Sequence, residues 1–247
     1  MRTGHPFRAD DLKDLDERLL SRASAVLSIR ESIGKPNTVV GMRHDIDHSL
    51  VYALNFAKWE HERGYTATYY LLHSAPYWEN KDALRAAVEV FMEYGHEVGF
   101  HTNALATALR TGEDPAQIVF DGVGELRSYG CEVTGVVAHG DPLCHIVQGG
   151  FVNDELFSEC VRPSYGLPER TLVWEVGGKV VGRLEIKRRS WKEFGFEYDP
   201  NWISRAHELS DSGGRMHSNF DDVVASFPYP NGQIQILAHP CWWAEAF

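Results

Sequence analysis

Four short apolar segments of this sequence end in groups that can move protons or bind a cation. They read Arg43-His44-Asp45-Ile46-Asp47, Glu97-Val98-Gly99-Phe100-His101, Ala138-His139-Gly140-Asp141 and Leu237-Ala238-His239-Pro240. Two carboxylates and several histidines suit a divalent metal with oxygen and nitrogen ligands, zinc first among them. A carboxylate left off the metal can act as general base toward an attacking water. The same residue types also cap helices and anchor loops. What separates the two readings is whether the groups share a face.

Alternation along a strand decides that question. In the first segment Gly41, Arg43, Asp45 and Asp47 share one face, and Met42, His44 and Ile46 the other. With the apolar set packed under helices, both aspartates face the mouth of the sheet. In the second, Glu97, Gly99 and His101 share parity. Val137 matches His139, and Leu237 matches His239. Asp45, Asp47, His101, His139 and His239 therefore can meet. Arg43 and Glu97 lie one layer deeper, where an ion pair would satisfy both charges.

The elements that must position these groups alternate between strand-like and helix-like, which points to parallel β/α architecture. Residues 38–47 read as an apolar strand, followed by a helix from about Leu50 to Arg63 that Gly64 closes. Thr66 to Leu72 is β-branched and aromatic, a second strand. Asn80 caps a helix whose stripe is Leu84, Ala87, Val88, Phe91 and Met92, with Gly95 ending it. His96 to His101 is the third strand. Asp114-Pro115 opens a helix burying Ile118, Val119, Val123 and Leu126, and Gly130 stops it. Val133 to Ala138 is a fourth strand and Gln233 to Ala238 the last. The stretch 146–232 is irregular and carries an inserted hairpin, Thr171 to Val176 and Val180 to Ile186. Residues 1–36 form an N-terminal helical extension. One domain over residues 1–247 is expected, without repeats or long linkers.

Composition bounds the function classes. The chain has 247 residues, 43% of them hydrophobic and 24% charged, enough for one sizeable core. A net charge of −11 disfavours a nucleic-acid or anionic-membrane partner. The start shows no apolar signal run, and no stretch approaches the roughly 20 apolar residues of a membrane span, so a cytoplasmic protein is expected. Cys131, Cys144, Cys160 and Cys241 form no CxxC pair and read as free, structural thiols.

The motifs carry a resemblance. Asp-x-Asp after the first strand, Gly95-His96-Glu97-Val98-Gly99-Phe100-His101-Thr102, and Ile-Leu-Ala-His near the end resemble the polysaccharide deacetylases, the family 4 carbohydrate esterases, in a branch written Arg-His-Asp-x-Asp. The resemblance covers about residues 37–243. It implies an irregular, usually seven-stranded β/α barrel and hydrolysis of an N-acyl group, most often N-acetyl, from an amino sugar, nucleotide sugar or glycoside. It makes Asp45 the base, Asp47 and His101 metal ligands, and His239 the acid that protonates the departing amine. The family's second metal histidine is missing, because Leu105 stands in its place, and His139 is the best substitute, ahead of Cys144, His145 and Asp211. Arg162-Pro163-Ser164-Tyr165 spells another family motif but lies far downstream of its usual place.

Arg43, Asp211, Trp242 and Trp243 are the candidate substrate-binding residues. The two tryptophans could stack on a sugar ring or plug the barrel mouth. Ser210-Asp211-Ser212-Gly213-Gly214 could shape a substrate loop, an anion nest or a plain turn. His44, His48, His61, His73 and His207 carry no assignment beyond structure or surface. Two other readings stand beside the deacetylase: a metal-free hydrolase of cyclic amides, and a degenerate saccharide-binding barrel.

Overall fold

A computed structural model describes residue 1 and residues 3–160 and 169–247. In chain order the elements are α1 (Ala9–Arg18), β1 (Ala25–Ser28), α2 (Ile29–Ser32), β2 (Val39–Ile46), α3 (Leu50–His61), β3 (Thr68–Leu72), α4 (Lys81–Glu93), β4 (Glu97–Thr102), α5 (Ala104–Thr111), α6 (Pro115–Ser128), β5 (Val136–Ala138), α7 (Leu143–Ile146), β6 (Glu169–Val176), β7 (Lys179–Lys187), β8 (His207–Ser210), α8 (Phe220–Ser226) and β9 (Ile234–Ala238). The expected strands and helices are all present, mostly shortened by a residue or two at their ends.

The local reasons are the expected ones. The Asn80 side chain accepts from the Ala83 N–H at the start of α4, which buries Leu84, Ala87, Val88 and Phe91. Met92, placed in the same stripe, is only half-buried. Asp114 caps α6 and Pro115 fills its first turn, while Ile118 sits half-buried at the margin of the stripe. The hairpin β6–β7 is antiparallel and turns on Gly177 and Gly178, with φ of +59° and +76°. A two-residue turn with both φ positive matches the twist of its strands.

The main sheet has seven strands in the order β5-β4-β3-β2-β9-β8, with β1 also on β2. Strand β2 lies at its centre and is buried along its whole length. On one edge it meets β9, Val40 opposite Ile234 through His44 opposite Ala238. The other edge is shared: β1 covers Val39–Met42 and β3 covers Arg43–Ile46, all parallel. The N-terminal stretch is therefore more than helical, since its β1 belongs to the sheet. The closed seven-stranded barrel does not form. The sheet ends at β5 and β8 and makes an open half-barrel. The segment after β5 explains this, because β6 and β7 build a sheet of their own and β5 has only three residues.

The chain forms two compact units. One comprises Met1–Leu71, Ala75–Gly99 and Ile203–Phe247, the other Leu72–Ser74 and Phe100–Trp202. The first has its core among Phe7, Leu15, Leu19, Phe56, Tyr69, Phe91 and Trp243; the second among Phe100, Leu105, Leu126, Phe157, Phe194 and Phe196. Among the described residues no helix is long and apolar enough to cross a membrane.

Candidate active site

In the first unit the alternation of β2 works as expected. His44 faces α3, buried against the Phe56 ring, with Nε2 2.8 Å from Glu60 Oε1. Its Nδ1–H donates to the Ala238 carbonyl, 3.2 Å away. Tyr69 donates to the other Glu60 oxygen at 2.6 Å. His44 thus acquires a role: it ties β2 to α3 and to the end of β9.

On the opposite face Arg43 and Asp45 are buried, with Arg43 Nε 3.9 Å from Asp45 Oδ1 and Nη2 4.0 Å from Glu208 Oε2. At 3% exposure Arg43 does not reach a ligand. Its assignment as a substrate-binding residue is corrected: the guanidinium is buried between Asp45 and Glu208. Glu97, the expected partner of Arg43, accepts from Thr68 Oγ1 at 2.7 Å and from the Arg30 N–H at 3.2 Å.

Parallel pairing of β8 with β9, His207 opposite Ile234 through Ser210 opposite Leu237, brings Asp211 beside His239. The fully buried Asp211 carboxylate accepts from His239 Nδ1–H at 2.6 Å, from the His239 backbone N–H at 2.9 and 3.0 Å, and from Trp243 Nε1–H at 2.7 Å. With Nδ1 engaged, Nε2 is the free end of the ring, and it lies 3.9 Å from Asp47 Oδ2. Burial by itself would lower the His239 pKa. The hydrogen bond and charge of Asp211, then the charges of Asp45 and Asp47, reverse this and raise it to about 9. A pKa of about 9 favours the protonated form of His239 at neutral pH, with Nε2 near the Asp47 carboxylate.

These contacts revise two more assignments. The Asp211 carboxylate, placed among the substrate-binding residues, is instead engaged by His239 and Trp243 and orients the His239 ring. Trp243 is 1% exposed, stacked on Phe7 at 4.5 Å and bonded to Asp211, so its ring is closed to a sugar. Trp242 remains half-exposed, stacked on His5 at 4.8 Å. The Ser210–Gly214 stretch is a turn closed on itself by the Ser210–Ser212 hydroxyl pair, with His217 Nε2 donating to the Ser212 carbonyl.

In the second unit His101 and His139 meet. His101 Nδ1–H donates to the Val137 carbonyl at 3.1 Å, which puts the lone pair on Nε2, 3.3 Å from His139 Nδ1. A backbone carbonyl that fixes the tautomer is the usual outer support of a metal-binding histidine. His139 is held by its own N–H on Thr102 O and by Asn153 Nδ2–H on its carbonyl. Leu105 is fully buried in the core face of α5 and, as a leucine, supplies no ligand. Asp141 is engaged by Arg110 at 2.6 and 2.8 Å and by Asn103. Burial pushes the Cys144 and Cys241 thiols up to about 12, which disfavours the thiolates a metal would need. None of the four cysteines forms a disulfide.

Two sets of residues have the donors to hold a metal ion: Asp47, His101 and His139, as the sequence suggested, and Asp154, Cys160 and Asp199, which no spacing pattern announced. One carboxylate and two imidazoles are a zinc-like donor set. Arg162-Pro163-Ser164-Tyr165 lies outside the described residues. Comparison with known proteins brings no match, whether to a family model, to a curated protein or to a solved structure.

Proposed function

We propose that this chain is a metal-dependent hydrolase of N-acyl bonds, removing an acetyl group from an amino sugar or a small glycoside. The observation that carries the reading is the Asp211–His239 pair, whose imidazole is held protonated and oriented beside Asp45 and Asp47. A binding protein has no need of a fixed acid next to a guanidinium-supported carboxylate.

The residues divide the work. Asp45, buried beside Arg43, takes a proton from the water that attacks the acyl carbon. His239 gives its Nε2 proton to the nitrogen as the carbon–nitrogen bond of the tetrahedral intermediate breaks, because an unprotonated amide nitrogen is a very poor leaving group. The products are a carboxylic acid and a free amine, so water is the only co-reactant. Asp47, His101 and His139 would hold a divalent cation, zinc best of all. That ion would supply Lewis acidity at the acyl oxygen.

Zinc analysis of the purified chain, with amine release from N-acetylglucosamine and N,N′-diacetylchitobiose, tests the proposal. About one zinc per chain is expected, with Asp45→Asn and His239→Ala each lowering turnover by roughly 10²–10⁴-fold while zinc content holds. Near-unchanged turnover in both variants would refute the mechanism. An active preparation free of metal would instead favour the hydrolysis of cyclic amides.

A further inference from the structure

His73 follows β3 directly, and the neighbouring strands β4 and β5 carry His101 and lead into His139. The mechanism above leaves His73 unused, yet its ring is held by a stack and a hydrogen bond. One face stacks on Phe100, with ring centroids 5.4 Å apart and planes within 12°. Phe100 has room for this because α6 carries Gly122 there. A Cβ at that position would lie 2.6 Å from the Phe100 ring. His73 Nε2 accepts the Asn103 backbone N–H at 2.9 Å. Asn103 is itself anchored, donating to Ser74 Oγ and Asp141 and accepting from Asn153.

These contacts leave His73 one kind of chemistry. Its Nε2 lone pair is taken, so it cannot bind a metal or accept a proton there. The proton must then sit on Nδ1. Among the described residues nothing accepts from that N–H, and the side chain is part-exposed. We propose that His73 is a further substrate-contacting residue of this site, its Nδ1–H donating to the acyl oxygen on which negative charge develops. Burial, then the neighbouring His101 and His139, lowers the His73 pKa to about 3. A neutral ring whose Nε2 accepts is a donor at Nδ1. Fixed neutral donors aimed at a developing oxyanion cost no reorganisation when the charge appears.

This inference rests on the N-acyl hydrolase reading, and two variants of the zinc-loaded full chain separate it from a structural role. His73→Phe keeps the stack on Phe100 but loses both the Nδ1 donor and the Nε2 acceptor of the Asn103 N–H, so its zinc content and Tm are read beside its rate. His73→Gln restores an N–H and an acceptor. With N,N′-diacetylchitobiose, His73→Phe is expected to lower kcat by about 10²–10³-fold with KM little changed. His73→Gln should recover most of that loss. Wild-type turnover in His73→Phe overturns the proposal. So does a His73→Gln no better than His73→Phe when both keep wild-type zinc content and Tm. If the wild-type chain releases no amine at all, the hydrolase reading fails, and acetate binding to the zinc-loaded protein then decides. A shift of the His73 Nδ1–H resonance on acetate addition supports the donor, and an unmoved resonance overturns it.

Discussion

Replacing Asp211 with asparagine removes the charge that holds His239 protonated while keeping the side chain's size. The His239 pKa is about 9, against an ordinary value of 6.5, and Asp211 is the largest cause of the rise. A folded-state pKa above the unfolded one stabilises the protein fully below pH 6.5, and the contribution is lost as pH climbs through 9. About 2.5 pH units at about 1.4 kcal/mol each come to roughly 3.5 kcal/mol. His239 is 8% exposed, so water screens little of this. Urea unfolding at pH 6 and at pH 9.5 reads it directly. The wild-type chain should lose a few kcal/mol more than Asp211→Asn over that window, and the variant's His239 should titrate near or below 6.5 by NMR. On any substrate the protein hydrolyses, the alkaline limb of the rate should move down with it. Equal pH dependence of stability in the two proteins would refute the assignment of Asp211 as the group that sets the charge of His239.

Three further outcomes follow from contacts elsewhere. His101→Ala should lose most bound zinc, measured by metal analysis after dialysis, with Tm little lowered in the absence of metal; retained stoichiometry would exclude His101 as a ligand. Gly99→Ala should destabilise by about 1–3 kcal/mol in thermal melts, because its Cβ would lie 2.4 Å from the buried Tyr70 ring. Glu60→Leu should cost about 3–5 kcal/mol, since it leaves His44 and the Tyr69 hydroxyl buried without their shared acceptor. A Glu60→Leu chain as stable as wild type would show that this network contributes nothing net.

The parts of the fold and site visible in the sequence are those in which periodicity and chemistry coincide. The apolar run of β2 made its alternation readable, so the split between the Asp45 face and the His44 face could be derived before any coordinates. Asn80, Asp114 and the Gly177-Gly178 turn are local signals, and local signals survive folding. What stayed hidden depends on distant partners. Strand β8 has a single fully apolar residue, Leu209, among His207, Glu208 and Ser210, so nothing in its pattern marked it as a strand. Without it, nothing in the sequence sets Asp211 beside His239, and its turn-like surroundings read as a substrate loop. Trp243 beside Trp242 looked equally fit to stack on a ligand. Only the stack on Phe7 and the bond to Asp211 tell the two apart. Closure of the sheet was likewise unreadable, because it depends on where the irregular segment after β5 goes.

The shared edge of β2 also has a consequence for the order of events in folding. Strands β1 and β3 reach β2 from nearby sequence, but His44 and Ala238 are partners 194 residues apart. Contacts that span so much chain form slowly, since the entropy of closing the loop is lost before any pairing returns it. The carboxylate half of the proposed proton relay can thus be scaffolded early, while the imidazole half arrives last, with β8 and β9. A partly folded chain carrying Asp45 without its acid partner would present the free edge of β2 to other strands. Productive folding of this protein is therefore a race between the return of β9 and pairing with a neighbour.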